Sequence, residues 1–168
     1  GHGFYGNPEV YQTIDGPNDL IIENNTVVPN RTTGSLFTFA GPAHQGERLQ
    51  ARSNIFPNNS FGIIGDADGL GTTALNTFYI DAGQPDEWVY DYNMTYNASA
   101  IGNPAGNNLY LTNQTAVKFI DSANGNYRLA SDSPGYQNAH DGKDRGVDWD
   151  SFNAAQTVSL STTAPVLA

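Results

Sequence analysis

The sequence predicts an all-β fold, a right-handed parallel β-helix (a solenoid) of about four coils with irregular loops and a closing C-terminal segment. Three observations carry that prediction. Composition is the first: 168 residues suit one compact domain, and only 14% are charged, while Gly (18), Asn (19) and Thr (14) are abundant. Such a balance favours strands and turns over helical bundles. Second, Gly, Pro and Asn interrupt nearly every stretch of ten residues, so no long window keeps the i, i+3, i+4, i+7 spacing of an amphipathic helix. Third, the short β-prone runs that remain repeat.

Taken in order, the runs are 10–14, 19–23, 35–40, 48–52, 60–64, 87–92 and 108–112. Turn-rich segments separate them, which is the pattern of short strands. One repeat is a strand running into a turn, at Ile14-Asp15-Gly16-Pro17, Phe39-Ala40-Gly41-Pro42 and Ile64-Gly65-Asp66-Ala67, with offsets of 25 and 25. A second repeat places an Asn after two alternating apolar positions. It fits Leu20, Ile22 and Asn25; then Leu49, Ala51 and Asn54; then Trp88, Tyr90 and Asn93, with offsets of 29 and 39. A fourth copy is read at Leu109, Leu111 and Gln114.

Stacked at the ordinary strand spacing, the inward positions of successive copies form a core by period-2 alternation. Asn25, Asn54 and Asn93 then form a structural ladder at one bend, their amides bonding along the stack. Two outward columns support the register. Asp19, Arg48 and Glu87 make one, and Glu23, Arg52 and Asp91 the other; each reads acid, base, acid. An Arg between carboxylates removes the like-charge repulsion that parallel stacking creates. Right-handedness follows from the general rule for parallel crossovers.

The domain is expected to occupy 1–156, with 157–168 as an extended tail that caps the last coil or links onward. Residues 1–9 are too short and too Gly-rich to cap the first coil. More chain, or another copy, is therefore expected to cover that end, since open coils expose unpaired backbone groups. Excess acid, 17 Asp and Glu against 7 Lys and Arg for a net charge of −10, excludes phosphate-backbone binding and docking on anionic membranes. No 18-residue apolar run predicts membrane insertion. Without cysteine the chain has no disulfide scaffold, thiol catalysis or Cys-type zinc site.

Residues 20–27 (Leu-Ile-Ile-Glu-Asn-Asn-Thr-Val), 49–56 (Leu-Gln-Ala-Arg-Ser-Asn-Ile-Phe) and the stretch Asn126-Tyr-Arg-Leu-Ala130, Ser133-Pro134 and 141–148 (Asp-Gly-Lys-Asp-Arg-Gly-Val-Asp) carry a family resemblance. The chain resembles the right-handed parallel β-helix proteins related to pectate lyases, over about residues 10–150, and its last segment is similar to the closing region of secreted β-helix repeat proteins. That family holds polysaccharide lyases, esterases, galacturonases, tailspikes and adhesins, so the resemblance implies an extracellular or cell-surface location and a polysaccharide partner.

Lyase chemistry of that kind needs a Lys or Arg base on an open strand face among carboxylates, usually with Ca²⁺. Arg48 and Arg52 alone fall on a strand face, and both are read as ladder partners. Gly1-His2-Gly3 resembles a galacturonase triplet but lacks that family's companion aspartates and downstream basic motif. His44 and His140 are read as loop histidines. Two Asp clusters invite a cation. Asp66 and Asp68 begin like a Ca²⁺ loop, but position twelve is Thr77, which excludes an EF-hand; Asp141, Asp144, Asp148 and Asp150 read equally as turn formers. No cofactor is expected beyond that Ca²⁺ option. Six N-x-S/T sequons begin at Asn24, Asn30, Asn58, Asn93, Asn97 and Asn113, with Asn93 expected to face inward.

The leading expectation is a non-catalytic extracellular β-helix module with a structural or polysaccharide-facing role. A fragment of a polysaccharide lyase or hydrolase is one alternative. A fibre subunit self-associating end to end through its coil ends is the other.

Overall fold

In the computed structural model, the residues described are 10–14, 16–29, 33–41, 46–65, 69–79 and 88–160. They contain twelve strands, two α-helices and two 3-10 turns. The strands are β1 (Tyr11–Ile14), β2 (Ile21–Glu23), β3 (Phe37–Ala40), β4 (Leu49–Arg52), β5 (Ile55–Pro57), β6 (Ile63–Gly65), β7 (Gly69–Leu70), β8 (Trp88–Asp91), β9 (Met94–Tyr96), β10 (Leu109–Leu111), β11 (Phe119–Asp121) and β12 (Asn126–Leu129). The helices are α1 (Thr72–Tyr79) and α2 (Trp149–Leu160).

The expectation of one all-β, right-handed parallel β-helix is corrected here. The strands build four separate small sheets, ordered β1-β3-β6-β7, β2-β4-β8, β10-β9-β5 and β11-β12. Two of the sheets contain antiparallel pairs, β6 with β7 and β11 with β12. With the helices added, the fold is a mixture of α and β rather than one continuous solenoid. The reasons are local. A strand returns on itself at Gly65–Gly69, a helix fills 72–79, and the last two strands pair with each other instead of extending a stack.

Within the sheets, several pairings are parallel and in register. Ile22 lies opposite Ala51, Leu49 opposite Trp88, and Ala51 opposite Tyr90. Alternation along β4 buries Leu49 and Ala51 while Gln50 and Arg52 stay partly exposed. The read fourth copy is mis-registered, however. Leu109 pairs with Met94 and Leu111 with Tyr96, so β10 continues the sheet that follows the Asn bend and not the one before it.

Helix α1 begins after Gly71, whose φ of +58° and contact with the Gly102 carbonyl leave no room for a Cβ. Its buried face is Ala74, Leu75, Phe78 and Tyr79, packed with Phe37, Phe39, Leu49, Phe56 and Tyr90 in the main core. Phe39 stacks on Phe78 at 5.0 Å and meets Tyr79 edge-on at 5.2 Å. A second core joins Ile55, Met94 and Tyr96 to Val117 and Leu129 of the closing region.

The expected extended tail is also corrected over its described part, because α2 runs through residues 157–160. Asp148 starts that helix by accepting the Ser151 N–H at 3.0 Å, and Ala154-Ala155-Gln156 favours its continuation. From Asp150 to Thr157 the helix is exposed on every side.

Candidate groove and the asparagine column

The Asn column is built from bends that follow β2, β4 and β8. Asn54 Oδ1 accepts from the backbone N–H of Asn25 at 2.9 Å and from its Nδ2 at 3.0 Å. Asn93 Oδ1 does the same for Asn54, at 3.1 and 2.9 Å. Each amide also donates to a neighbouring strand, Asn54 Nδ2 to the Ile22 carbonyl and Asn93 Nδ2 to the Ala51 carbonyl, both at 2.8 Å. Asn54 and Asn93 are fully buried, so these bonds satisfy groups that water cannot reach.

A fourth rung, Asn108, was missed by sequence reasoning, which had pointed to Gln114. Asn108 Oδ1 accepts the Asn93 N–H at 3.0 Å, and its Nδ2 reaches the Tyr90 carbonyl at 2.8 Å. A signal existed: Asn108 stands directly before Leu-Tyr-Leu, as Asn54 stands before Ile-Phe and Asn93 before Met-Thr-Tyr.

The two charge columns behave differently. Arg48 grips Asp19 with two bonds, Nε to Oδ1 at 2.6 Å and Nη2 to Oδ2 at 2.9 Å, and also reaches Glu47 at 2.5 Å. That grip holds the Asp19 carboxyl below its ordinary range and pushes the Arg48 guanidinium up. Glu87 lies outside the described residues. Arg52 sits in register with Glu23 and Asp91 but forms no ion pair with either. Asp91 turns away to the 104–107 loop, its Oδ1 accepting the N–H groups of Tyr92 at 2.9 Å and Asn107 at 2.7 Å. The reading of Arg52 as an ion-pair partner is thereby corrected: backbone donors of a nearby loop outcompete it for the carboxylate.

Closing the molecule depends on Arg145, only 2% exposed. It donates to the carbonyls of Asn93 (2.7 Å), Asn107 (2.9 Å) and Asn138 (2.8 Å) and to Asn138 Oδ1, and lies 5.8 Å from the Tyr92 ring centre. Burial pulls its pKa down to about 10, against the pull of Asp91 and Tyr92 that raises it, so it remains a cation at neutral pH. Next to it, Gly146 donates to the Ser53 carbonyl at 2.7 Å and has φ +86°. A side chain there would collide with Thr26 and Ile55. His140 meets Ser53 Oγ through Nδ1 at 2.8 Å, but Ser53 is fully buried and so unavailable as a nucleophile.

This closing segment shapes a groove of about 550 Å³. Apolar parts of its wall are Ile120, Leu129 and Val147, with Tyr136 and Trp149 beside them and Phe152 edge-on to Trp149 at 5.7 Å. The Trp149 indole N–H, the Tyr136 hydroxyl and the Gln137 side-chain amide make no hydrogen bond within the described residues. Four charged wall residues are paired: Arg128 Nη2 to Asp150 at 2.8 Å and Lys143 Nζ to Asp148 at 2.8 Å. Lys143 and the two Ser151 donors hold the Asp148 carboxyl well below its ordinary range.

Asp66 and Asp68, the proposed Ca²⁺ residues, lie outside the described residues, as do His2 and His44. Among the described residues no group of three or more His, Asp or Glu could hold a metal ion, so Asp141, Asp144, Asp148 and Asp150 do not converge. Comparison with known proteins finds no match to this chain among family models, curated proteins or solved structures.

Proposed function

We propose that this chain is a non-catalytic extracellular module whose closing end faces polysaccharide. The observation that carries the reading is the groove at 120–151: aromatic and aliphatic surface interleaved with hydrogen-bonding groups that no described residue engages. Pyranose rings present the same alternation, apolar C–H faces and directional hydroxyls, and a site of this size seats a few of them. The case against catalysis rests on the cations. Arg48, Lys118, Arg128 and Lys143 each hold a carboxylate, and Arg145 is spent on carbonyls. No helix of the described residues is long and apolar enough to cross a membrane.

One observation favours a second reading, a fragment of a polysaccharide lyase: Arg52 is a strand-face cation without a carboxylate partner. Against it, Asp91 is turned away to the 104–107 loop. One experiment tests both. The protein is passed over gels containing neutral or acidic polysaccharides and then assayed for unsaturated or reducing chain ends. Retardation without new chain ends, abolished by Trp149→Ala, is expected. New chain ends that disappear in Arg52→Ala would establish the lyase reading instead.

A further inference from the structure

We infer that the groove selects neutral saccharides and rejects acidic ones. This rests on the saccharide reading above and adds the ligand class. Five charged side chains line the groove: Arg128, Lys143, Asp144, Asp148 and Asp150. Two cations against three carboxylates leave an excess of one negative charge, and the pairing places it. Arg128 is taken by Asp150 and Lys143 by Asp148, which leaves Asp144 without a cation. Asp144 Oδ1 accepts the Gln137 N–H at 2.9 Å, so the carboxylate is held in place at the wall.

A uronate entering this groove therefore meets an uncompensated carboxylate. It could gain a counter-charge only by breaking an existing pair. The Lys143–Asp148 pair is buttressed, because Asp148 also accepts the Ser151 N–H at 3.0 Å and its hydroxyl at 2.8 Å. The chain's net charge of −10 adds long-range repulsion of the same sign. A neutral sugar escapes all of these costs. It can stack on Trp149 or Tyr136 and accept from the indole N–H and the Gln137 side-chain amide. Phosphorylated ligands are disfavoured by the same charge count.

The test is a printed glycan array with a neutral half (cello-, malto-, manno- and xylo-oligosaccharides) and an acidic half (oligogalacturonates and oligoguluronates), followed by titration of the strongest ligand from each half. The full chain is used at low salt and at physiological salt. Neutral binding at least tenfold tighter than acidic, the gap narrowing as salt rises, is the expected result. Asp144→Asn keeps the Oδ1 acceptor for Gln137 and removes the charge, so it should raise affinity for the acidic ligand severalfold and leave neutral affinity within twofold. Tighter acidic than neutral binding would overturn the inference and keep the saccharide reading. Binding to neither half would overturn both. Circular dichroism of each variant separates lost binding from lost folding.

Discussion

The sheet region around Asn25–Asn108 and the closing region at 117–148 both bury polar groups, but they satisfy them in opposite ways. In the sheets one device recurs: an Asn whose Oδ1 accepts a neighbour's N–H and whose Nδ2 donates across to a strand carbonyl. In the closing region the anchors are single. Arg145 bonds three carbonyls, Ser133 Oγ donates to the Val117 carbonyl at 2.7 Å, and Gly146 fits where no side chain could. Repetition spreads the cost of any one loss over neighbours. Convergence on one guanidinium does not, so the closing region should fail locally and the sheets cooperatively.

The largest expected effect comes from alkali and falls on the sheets and on α1 packed against them. Tyr79, Tyr90 and Tyr96 are buried, and desolvation pushes each hydroxyl well above its ordinary value. In the unfolded chain tyrosine loses its proton near pH 10. Above that pH the unfolded state binds fewer protons than the folded one, so stability falls as pH rises. Below it these groups contribute no pH dependence. Three such groups give a loss of up to about 4 kcal/mol per pH unit beyond 10. Melting curves from pH 8 to 12, read beside tyrosinate absorbance, should show exposed tyrosines such as Tyr136 ionising first and the last part of the absorbance appearing only as the protein unfolds. Ionisation of all nine tyrosines while the fold persists would contradict the burial argument.

Arg145→Ala should have the next largest effect, about 3–5 kcal/mol, because a buried side chain is lost and the carbonyls of Asn93, Asn107 and Asn138, the first of them buried, lose a charged donor together. The comparison sharpens here. Hydrogen exchange should accelerate over 133–148 first, while amides of β4 and β8 remain protected. Equal acceleration everywhere would show that the closing region and sheets form one cooperative unit. Arg145→Lys keeps the charge but not the fork, and should recover only part of the loss.

Asn54→Ala removes the middle of the column and should cost about 2–4 kcal/mol, since the Ile22 carbonyl and the Asn25 amide both lose partners. Here the expected exchange pattern is the reverse: β2, β4 and β8 loosen together, and 133–148 follows only with global unfolding.

Legibility in the sequence follows the same division. Asn25, Asn54 and Asn93 could be found because a repeated device leaves a repeated pattern. Asn108 was lost because it follows Asn93 by 15 residues where the earlier rungs are 29 and 39 apart, and Leu109-Tyr-Leu imitates the alternation of Leu20 and Ile22 while belonging to the next sheet. Helix α1 escaped because eight residues are too few for a helical period to show above its Gly-bounded surroundings. Asp91 shows a different limit. Its register with Arg52 was readable, but the loop amides that capture its carboxylate are set by the fold. Arg145 stands in the closing segment among turn residues, and nothing in its neighbours reveals that the carbonyls of Asn93, Asn107 and Asn138 will converge on it. The groove inherits that blindness, for its walls come from β11, β12, the closing turns and the start of α2.

The smallest expected effects compare the two arginines that the sequence makes look alike. Arg48 holds two carboxylates, yet its side chain is 52% exposed, and Asp19 beside it is 67% exposed. Exposed pairs gain little over hydration and are screened by salt, so Arg48→Ala should shift the melting curve only at low ionic strength. Arg52 forms no ion pair among the described residues but is half-buried, so its contribution is expected to lie in the packing of its alkyl stem. Arg52→Ala should cost about 1 kcal/mol or less, by lost packing, and by the same amount at every salt concentration. Melts of both variants across a salt series distinguish the two causes. A salt-dependent loss in Arg52→Ala would show that a carboxylate does reach its guanidinium in solution and restore the paired column. A salt-independent loss in Arg48→Ala would mean that its stem, rather than its grip on Asp19, is what the sheet edge uses.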